Sequence, residues 1–230
     1  MKILAVDTAT PTCSVAICDQ NRLLCEINVG KMETHSRHLM SMIQNALDWG
    51  GVSFDQIDGF AVTRGPGSFT GLRIGISAVK GFCLGLNRPL VGLSSLDVLA
   101  AQSDREDCLI CAMIDGRRQE VYTSRYRKKN GRIQKVMPDQ AMDPKSAMAD
   151  IAEPCLFMGN GSLLYRDVIL DCIGDRALWP MPHQHMIRAS TLAWMSLERF
   201  ESRDTDDPAS FAPIYIRRPD IWAQKPANVL

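Results

Sequence analysis

Carboxylates and glycines stand at several places in the chain where a magnesium–phosphate unit could bind. Asp7 and Thr8 follow a short apolar run, Ile3–Val6. A carboxylate at the end of a strand can hold magnesium beside a phosphate. A turn-forming Asp next to a β-hairpin gives the same pattern, so both interpretations stay open here.

A glycine-rich segment, Gly65-Pro-Gly-Ser-Phe-Thr-Gly71, leads into a long apolar run. Glycines let backbone amides approach an anion at a helix N-terminus. The segment is not a P-loop, because no Gly-Lys-Ser/Thr ends it, and its glycine spacing is not G-x-G-x-x-G. We favour a tight strand-to-helix turn over an anion site.

Asp115, Gly159 and Gly161 complete, with Asp7, a candidate nucleotide site. Two arginines follow the glycine after Asp115, where a phosphate-gripping hairpin needs small residues. They could bind an anion by charge, fill the cleft or pair with carboxylates. We therefore predict a degenerate nucleotide site and no tightly bound cofactor or metal, with a nucleotide at the interface of a complex as the open alternative.

Histidines and cysteines do not form a metal-binding pattern. His35 and His38 stand three residues apart without an evident third ligand. Cys108 and Cys111 form a CxxC on a predicted strand, where side chains three apart point to opposite faces. We expect the eight cysteines to be reduced, and most of them buried.

Composition bounds the class of protein. The 230 residues are 46% hydrophobic, and 26 basic residues balance 26 acidic ones. A protein that binds nucleic acid alone usually carries a basic excess, so an RNA role is expected to go through a partner. The N-terminus lacks the h-region of a signal peptide, and no apolar run approaches the roughly 18–20 residues that span a bilayer. These features predict a cytoplasmic protein.

Each half of the chain opens with three sequential strands, and the polar stretch 103–107 separates the halves. Short connections predict that the first three strands are adjacent and antiparallel. The second half continues with predicted helices around Pro144–Ile151 and over Ser162–Leu170. This pattern predicts an α/β fold with two lobes, residues 1–104 and 105–230. The last ~20 residues are expected to pack back on the N-terminal lobe or, alternatively, to contact RNA.

The predicted helix Leu72–Leu86 is apolar almost all round. One face can pack on a sheet, and the other then favours another protein over solvent. A central core helix is the alternative. We favour the first interpretation, in which this helix and the preceding one, His35–Trp49, together form a partner interface. Its predicted residues are His35, Leu39, Met42, Ile43, Ala46, Gly71, Arg73, Ile74, Gly75, Ala78, Val79 and Phe82.

Several of these segments together resemble the TsaB (YeaZ) family. The matching stretches are ILAVDTAT, THSRHL, VTRGPGSFTGLRIG and LVGLSSLDVLA, and DGRRQEVY is similar to a second-lobe signature. The resemblance is strong over the first half and looser over the second. It implies the two-lobed actin-like fold of acetate and sugar kinases, actin and heat-shock ATPases.

The resemblance also implies a function. It indicates a non-catalytic scaffold and activator of TsaD, the sibling that transfers a threonylcarbamoyl group to N6 of the anticodon-adjacent adenosine of tRNA. TsaD uses a His-x-x-x-His metal pair, which His35 and His38 do not match. TsaB-type proteins dock on TsaD through N-terminal-lobe helices, are joined by the ATPase TsaE, and form homodimers when isolated.

Two rival functions remain. One is an active ATP-dependent phosphotransferase that would use Asp7, Asp115 and the glycine loops. The other is a peptidase, which neither a Ser/His/Asp nor a His-Glu-x-x-His pattern supports.

Overall fold

Two mixed five-stranded sheets with corresponding strand orders organise the molecule. The computed structural model describes residues 1–20, 22–30 and 35–217, without the side chain of His35. The first sheet has the order β3-β2-β1-β4-β5, with β1 (Lys2–Asp7), β2 (Cys13–Asp19), β3 (Arg22–Val29), β4 (Gly59–Thr63) and β5 (Leu90–Leu93). The second has the order β10-β9-β6-β7-β8, with β6 (Leu109–Arg117), β7 (Glu120–Lys129), β8 (Arg132–Met142), β9 (Cys155–Met158) and β10 (Ala177–Leu178).

Strand direction places the candidate site residues at corresponding edges. In each sheet the first three strands are antiparallel, which confirms the prediction made for β1 to β3. The first strand of each lobe is also parallel to the fourth, with Val6 beside Val62 and Ala112 beside Met158. Asp7 and Thr63 therefore end neighbouring strands at one sheet edge. The loops after β6 and β9 meet at the equivalent edge of the other sheet.

Six helices accompany the sheets among the described residues. They are α1 (His35–Gly50), α2 (Phe69–Leu86), α3 (Ser95–Ala101), α4 (Asn160–Leu164), α5 (Arg166–Ile173) and α6 (Ala189–Glu201). The side chain of Ser68 caps α2 by accepting from the Gly71 amide at 3.2 Å. Asn87 ends the helix in the left-handed region at φ 51°.

Two helices pack on the sheet of the opposite half of the chain. Helix α3 contacts β6, β7 and β8 of the second sheet, whereas α6 contacts β1, β2, β4 and β5 of the first. One apolar core consequently runs through both sheets, from Leu4 and Val62 to Ile110 and Leu156. A smaller core with Phe157 covers the other face of the second sheet. The lobe boundary at residue 104 stays a prediction, and α6 packs on the sheet of the opposite half.

Two predicted helices differ from the structure. Around residues 144–151 only a single 3₁₀ turn, Ser146–Met148, forms. Ala149 is extended at ψ 143° and Asp150 has φ 64°, so the turn does not continue into a helix. Arg125 binds the carbonyls of Ala147 and Ala149 at 3.0 and 2.7 Å. The helix expected over 162–170 is interrupted at Tyr165, which joins α4 to α5.

The length of α2 corrects the expectation about apolar runs. Its 18 residues have a mean hydropathy of 1.3, which meets the length and composition of a membrane span. It contains Arg73 and Lys80, and it packs on β1 and β4. Core helices of water-soluble proteins satisfy the same criterion, so α2 by itself is weak evidence for a span.

A buried carboxylate fixes the start of α6. The Glu26 side chain on β3 is 4% exposed, pairs with the Arg188 guanidinium and accepts from the Ser190 amide at 3.0 Å. Ser14 on β2 accepts from the Ala189 amide at 2.8 Å. These groups satisfy helix N-terminal donors that would otherwise lack partners. Burial raises the pKa of Glu26, but hydrogen bonds from Arg188 and Ser190 outweigh it, and the pKa lies below its usual value.

We expect Glu26→Gln to lower the free energy of unfolding by about 2 kcal/mol at pH 7, because it leaves Arg188 without its anion. A carboxylate with a lowered pKa stabilises the fold above its unfolded pKa and loses that contribution as pH falls through the folded pKa. The difference between wild type and variant should therefore shrink in acid. Urea titrations at pH 7 and pH 3.5 measure it, and an equal difference at both pH values would contradict the proposed charge interaction.

Candidate functional site

Asp7 lies at the end of β1 and is completely buried. Its Oδ1 accepts from the Thr63 hydroxyl at 2.6 Å and from the Ala9 amide at 3.3 Å. Its Oδ2 has no hydrogen-bond partner among the described residues. Burial raises the pKa of Asp7 to about 7, and the two hydrogen bonds only partly oppose this. The carboxyl is thus enclosed by protein and not exposed to the cleft.

The glycine-rich turn packs on the β1–β2 turn, which directly follows Asp7. The Ser68 amide donates to the Ala9 carbonyl at 2.7 Å, and the Thr8 hydroxyl donates to the Gly71 carbonyl at 2.7 Å. A Cβ on Gly71 would lie 2.1 Å from the Thr8 carbonyl oxygen. Glycine is therefore needed for contact within the chain, and the strand-to-helix turn accounts for the motif without a ligand.

The second-lobe members of the candidate nucleotide site come together in a similar way. The Asn160 side chain accepts from the Asp115 amide at 3.3 Å, which joins the loops after β6 and β9. Gly159 has φ 100°, and a Cβ there would lie 2.2 Å from the Met113 carbonyl oxygen. A Cβ on Gly161 would lie 2.9 Å from the Ile114 carbonyl carbon. Both glycines let α4 pack on β6.

Asp115 is engaged by its own hairpin. Its Oδ1 accepts from the Arg117 amide at 2.9 Å, and its Oδ2 lies 3.5 Å from the Arg117 guanidinium. Of the alternatives open for the arginines, this pair matches carboxylate pairing. Sequence reasoning missed Thr63 and Asn160. A polar residue at the end of the parallel neighbour β4 was an available signal for Thr63.

The candidate partner interface needs a correction, because its members divide between core and surface. Leu39, Met42, Ile43, Ala46, Gly71, Gly75 and Val79 are buried within the chain. Their regular spacing reflects packing on the protein's own sheet, which leaves them no surface for a partner. Ile74, Ala78 and Phe82 are half-buried, and Arg73 is exposed. The side chain of His35 lies outside the described part of the structure.

A different set of α2 residues faces outward. We name this set the α2 outer face: Arg73, Ser77, Gly81, Leu84 and Gly85, all exposed. Leu84 is 65% exposed, and a Cβ on Gly81 or Gly85 would meet no described atom within 4 Å. Exposed helical glycines cost about 1 kcal/mol each relative to alanine, and the described fold gives them no compensating contact.

Ser162 and His185 form a buried hydroxyl–imidazole pair that does not resemble a hydrolase site. Their Oγ and Nδ1 atoms are 3.3 Å apart, and both contact the Gly159 carbonyl oxygen. Ser162 is fully buried, so no substrate reaches its hydroxyl. Within residues 1–20, 22–30 and 35–217, no three His, Cys, Asp or Glu residues group as a metal site. All eight cysteines are free, and six are buried.

Comparison with known proteins decides the family. A family model described as "TsaD: tRNA N6-adenosine threonylcarbamoyltransferase" matches residues 31–224. The "tRNA threonylcarbamoyladenosine biosynthesis protein TsaB" of Bacillus subtilis is 31% identical over 97% of this chain and 97% of its own. The chain belongs to the TsaB (YeaZ) family. The family model bears the transferase's name, but the full-length relative is a TsaB protein.

Solved structures agree with this assignment. YeaZ from Pseudomonas aeruginosa superposes with a TM-score of 0.78 at 28% identity, covering 93% of this chain and 99% of that one. Component A of (R)-2-hydroxyglutaryl-CoA dehydratase from Acidaminococcus fermentans reaches 0.53 at 10% identity, covering 85% and 97%. That likeness concerns the fold alone. The predicted two-lobed actin-like architecture of this TsaB-family chain is confirmed.

Glycines on opposite sides of α2 should respond oppositely to alanine. Gly71→Ala forces a methyl group against the Thr8 carbonyl and should lower the free energy of unfolding by about 2 kcal/mol. Gly81→Ala meets no described atom within 4 Å and should raise it by about 1 kcal/mol. Urea titrations at low protein concentration compare the two. Equal effects would mean that Gly71 is not in close contact.

The buried Asp7 makes stability depend on pH in a predictable direction. The pKa of Asp7 is raised from 3.8 to about 7. The protonated carboxyl therefore contributes fully to the free energy of unfolding below about pH 3.8, and this contribution is lost as pH rises through 7. Asp7→Asn cannot ionise, so it should gain about 2 kcal/mol relative to wild type between pH 5 and pH 8. Urea titrations at both pH values test this, with Asp48→Asn on α1 as control. If the difference in free energy of unfolding between wild type and Asp7→Asn were the same at pH 5 and pH 8, the conclusion that the Asp7 carboxyl is enclosed would be wrong.

Proposed function

We propose that this chain is the non-catalytic partner subunit in threonylcarbamoyladenosine formation on tRNA. It forms a heterodimer with a TsaD homologue, which carries the transferase chemistry, and the pair helps recruit a TsaE ATPase. The isolated chain pairs with itself through the same surface, and it reaches tRNA only through the complex. We infer a cytoplasmic location from this role.

The α2 outer face is the observation that carries the proposal. A helix with this hydropathy is only one-third buried, and its outer side presents Ser77, Gly81 and Gly85 beside exposed Leu84. Small residues at four-residue spacing let a second helix backbone approach closely. Exposed Met40 on the adjacent helix α1 adds apolar surface. This combination favours a protein partner over solvent.

The state of the cleft supports a role without bond chemistry in this chain. Asp7 is enclosed, Asp115 is paired with Arg117, and Gly71 and Gly159 contact backbone of their own lobes. A catalytic or metal-binding carboxylate must instead reach its ligand. We therefore propose a degenerate nucleotide site without a resident cofactor, and we assign any nucleotide of the assembly to an interface with a partner.

The test is Gly81→Arg, which places an unpaired cation at the centre of the α2 outer face. We expect at least about tenfold weaker binding to TsaD, because burying an unpaired charge in an interface is costly. The homodimer should dissociate in light scattering coupled to size exclusion. Modification of tRNA by reconstituted TsaB–TsaD–TsaE should fall in parallel.

Leu170→Arg is the matched control, since it puts the same cation on an exposed position of α5 in the second half of the chain. Gly75 is unsuitable as a test site, because a Cβ there would lie 2.4 Å from the Thr8 hydroxyl oxygen and would disturb the fold. Full TsaD binding by folded Gly81→Arg would refute the interface. Turnover of ATP by the isolated chain with magnesium would favour the phosphotransferase instead.

A further inference from the structure

The segment after α6 crosses from one half of the molecule to the other. We name residues 206–217 the strap. It begins at the edge of the first sheet, where the Asp206 amide donates to the Leu90 carbonyl at 2.8 Å and its Oδ2 accepts from the Gly92 amide at 2.8 Å. It ends at the β6–β7 hairpin of the second sheet. A chain segment fixed at both ends restricts relative movement of the parts it joins.

The middle of the strap is anchored on α2 and the glycine-rich turn. Phe211 is buried, and Lys80 donates to its carbonyl at 2.9 Å. The Ile214 amide donates to the Arg64 carbonyl at 2.7 Å, and a Cβ on Gly65 would lie 2.6 Å from the Ile214 carbonyl oxygen. The strap therefore lies directly on the turn that precedes α2.

Tyr215 connects the strap to the first turn of α2. Its ring lies 5.0 Å from the Phe69 ring, and its hydroxyl accepts from Arg73 Nε at 3.1 Å. The Arg73 guanidinium also lies 3.8 Å from the centre of the Phe69 ring. Because Arg73 belongs to the α2 outer face, a change at Arg73 reaches the strap through direct contacts.

Arg217 connects the other end to a strained hairpin. Its guanidinium lies 2.6 Å from Glu120 Oε2 and donates to the Gly116 carbonyl at 3.2 Å. Between these two residues, Arg117, Arg118 and Gln119 all have positive φ, at 62°, 53° and 62°. Such a conformation of L-residues persists only where surrounding contacts hold it. Arg217 holds both ends of the turn.

We propose that the strap couples the α2 outer face to the β6–β7 hairpin. In the first of two states, the latched state, Arg217 binds Glu120 and the Gly116 carbonyl. In the second, the released state, these contacts are broken and the backbone hydrogen bonds of the hairpin open locally. Whatever displaces Tyr215 from Phe69 and Arg73 shifts this equilibrium. The inference goes beyond the proposed function and does not rest on it, because the coupling operates within one chain whichever molecule contacts α2.

Hydrogen exchange of the full-length protein, followed by mass spectrometry, tests the coupling because it reports local opening. Arg217→Ala should speed exchange of the hairpin amides by about fivefold, the effect of losing an interaction at the strong end of surface ion pairs. Glu120→Gln should act in the same direction but less, since Gly116 still accepts from Arg217. Arg73→Ala, at the far end of the connection, should also speed hairpin exchange.

Two controls define the result. Arg132→Ala removes another ion pair that joins β8 to α6, but this pair is 3.7 Å long and about 80% exposed, so hairpin exchange should not change. Ser77→Ala alters the α2 outer face one turn beyond Arg73 and should also leave the hairpin unchanged. If the hairpin amides of Arg217→Ala exchanged at the wild-type rate, the proposal that Arg217 holds the hairpin would be wrong. A hairpin that responds to Arg217→Ala but not to Arg73→Ala would overturn the coupling to α2.

Discussion

The contact between the glycine-rich turn and the β1–β2 turn determines much of the rest of the structure. The Thr8 hydroxyl binds the Gly71 carbonyl, and the missing side chain of Gly71 allows the two backbones to touch. This contact joins the residue next to the buried Asp7 to the first turn of α2. It thereby sets which side of α2 faces the sheet and which side faces outward. One steric requirement thus governs both the cleft and the surface.

The exchange of α3 and α6 supplies the second constraint. Each helix packs on the sheet of the opposite half, so a single apolar core includes residues of both sheets. Polar contacts reinforce this connection, as when Lys135 of β8 pairs with Asp97 of α3 at 2.7 Å. Separating the lobes would expose that core to water at a cost proportional to its area. A molecule whose lobes are held together in this way can present a fixed surface to a partner, as the proposed function requires.

Much of the fold was predictable because it depends on local pattern. The apolar runs of β1, β2 and β4 and the glycine-rich turn are visible without knowledge of tertiary contacts. The interface was predicted less well, because a helix that is apolar all round does not reveal which side meets its own sheet. Gly71 and Gly81 are both glycines of the same helix. A Cβ on Gly71 would collide with Thr8, whereas a Cβ on Gly81 would meet no described atom within 4 Å. The helix predicted near residue 147 does not form, and the carbonyl of Ala147 there binds Arg125, which is distant in sequence.

The glycines of the chain differ in what surrounds them, and this difference supports the proposed interface on α2. Glycines of the cleft loops are used for packing: Gly67 on Ala9, Gly71 on Thr8 and Gly159 on Met113. In a phosphate-binding member of such a fold, backbone freed by glycine would face the ligand. By contrast, a Cβ on Gly81 or Gly85, two glycines on the outside of α2, would meet no described atom within 4 Å. An exposed helical glycine costs stability, and close approach by a second helix, as the proposed interface would allow, offsets that cost.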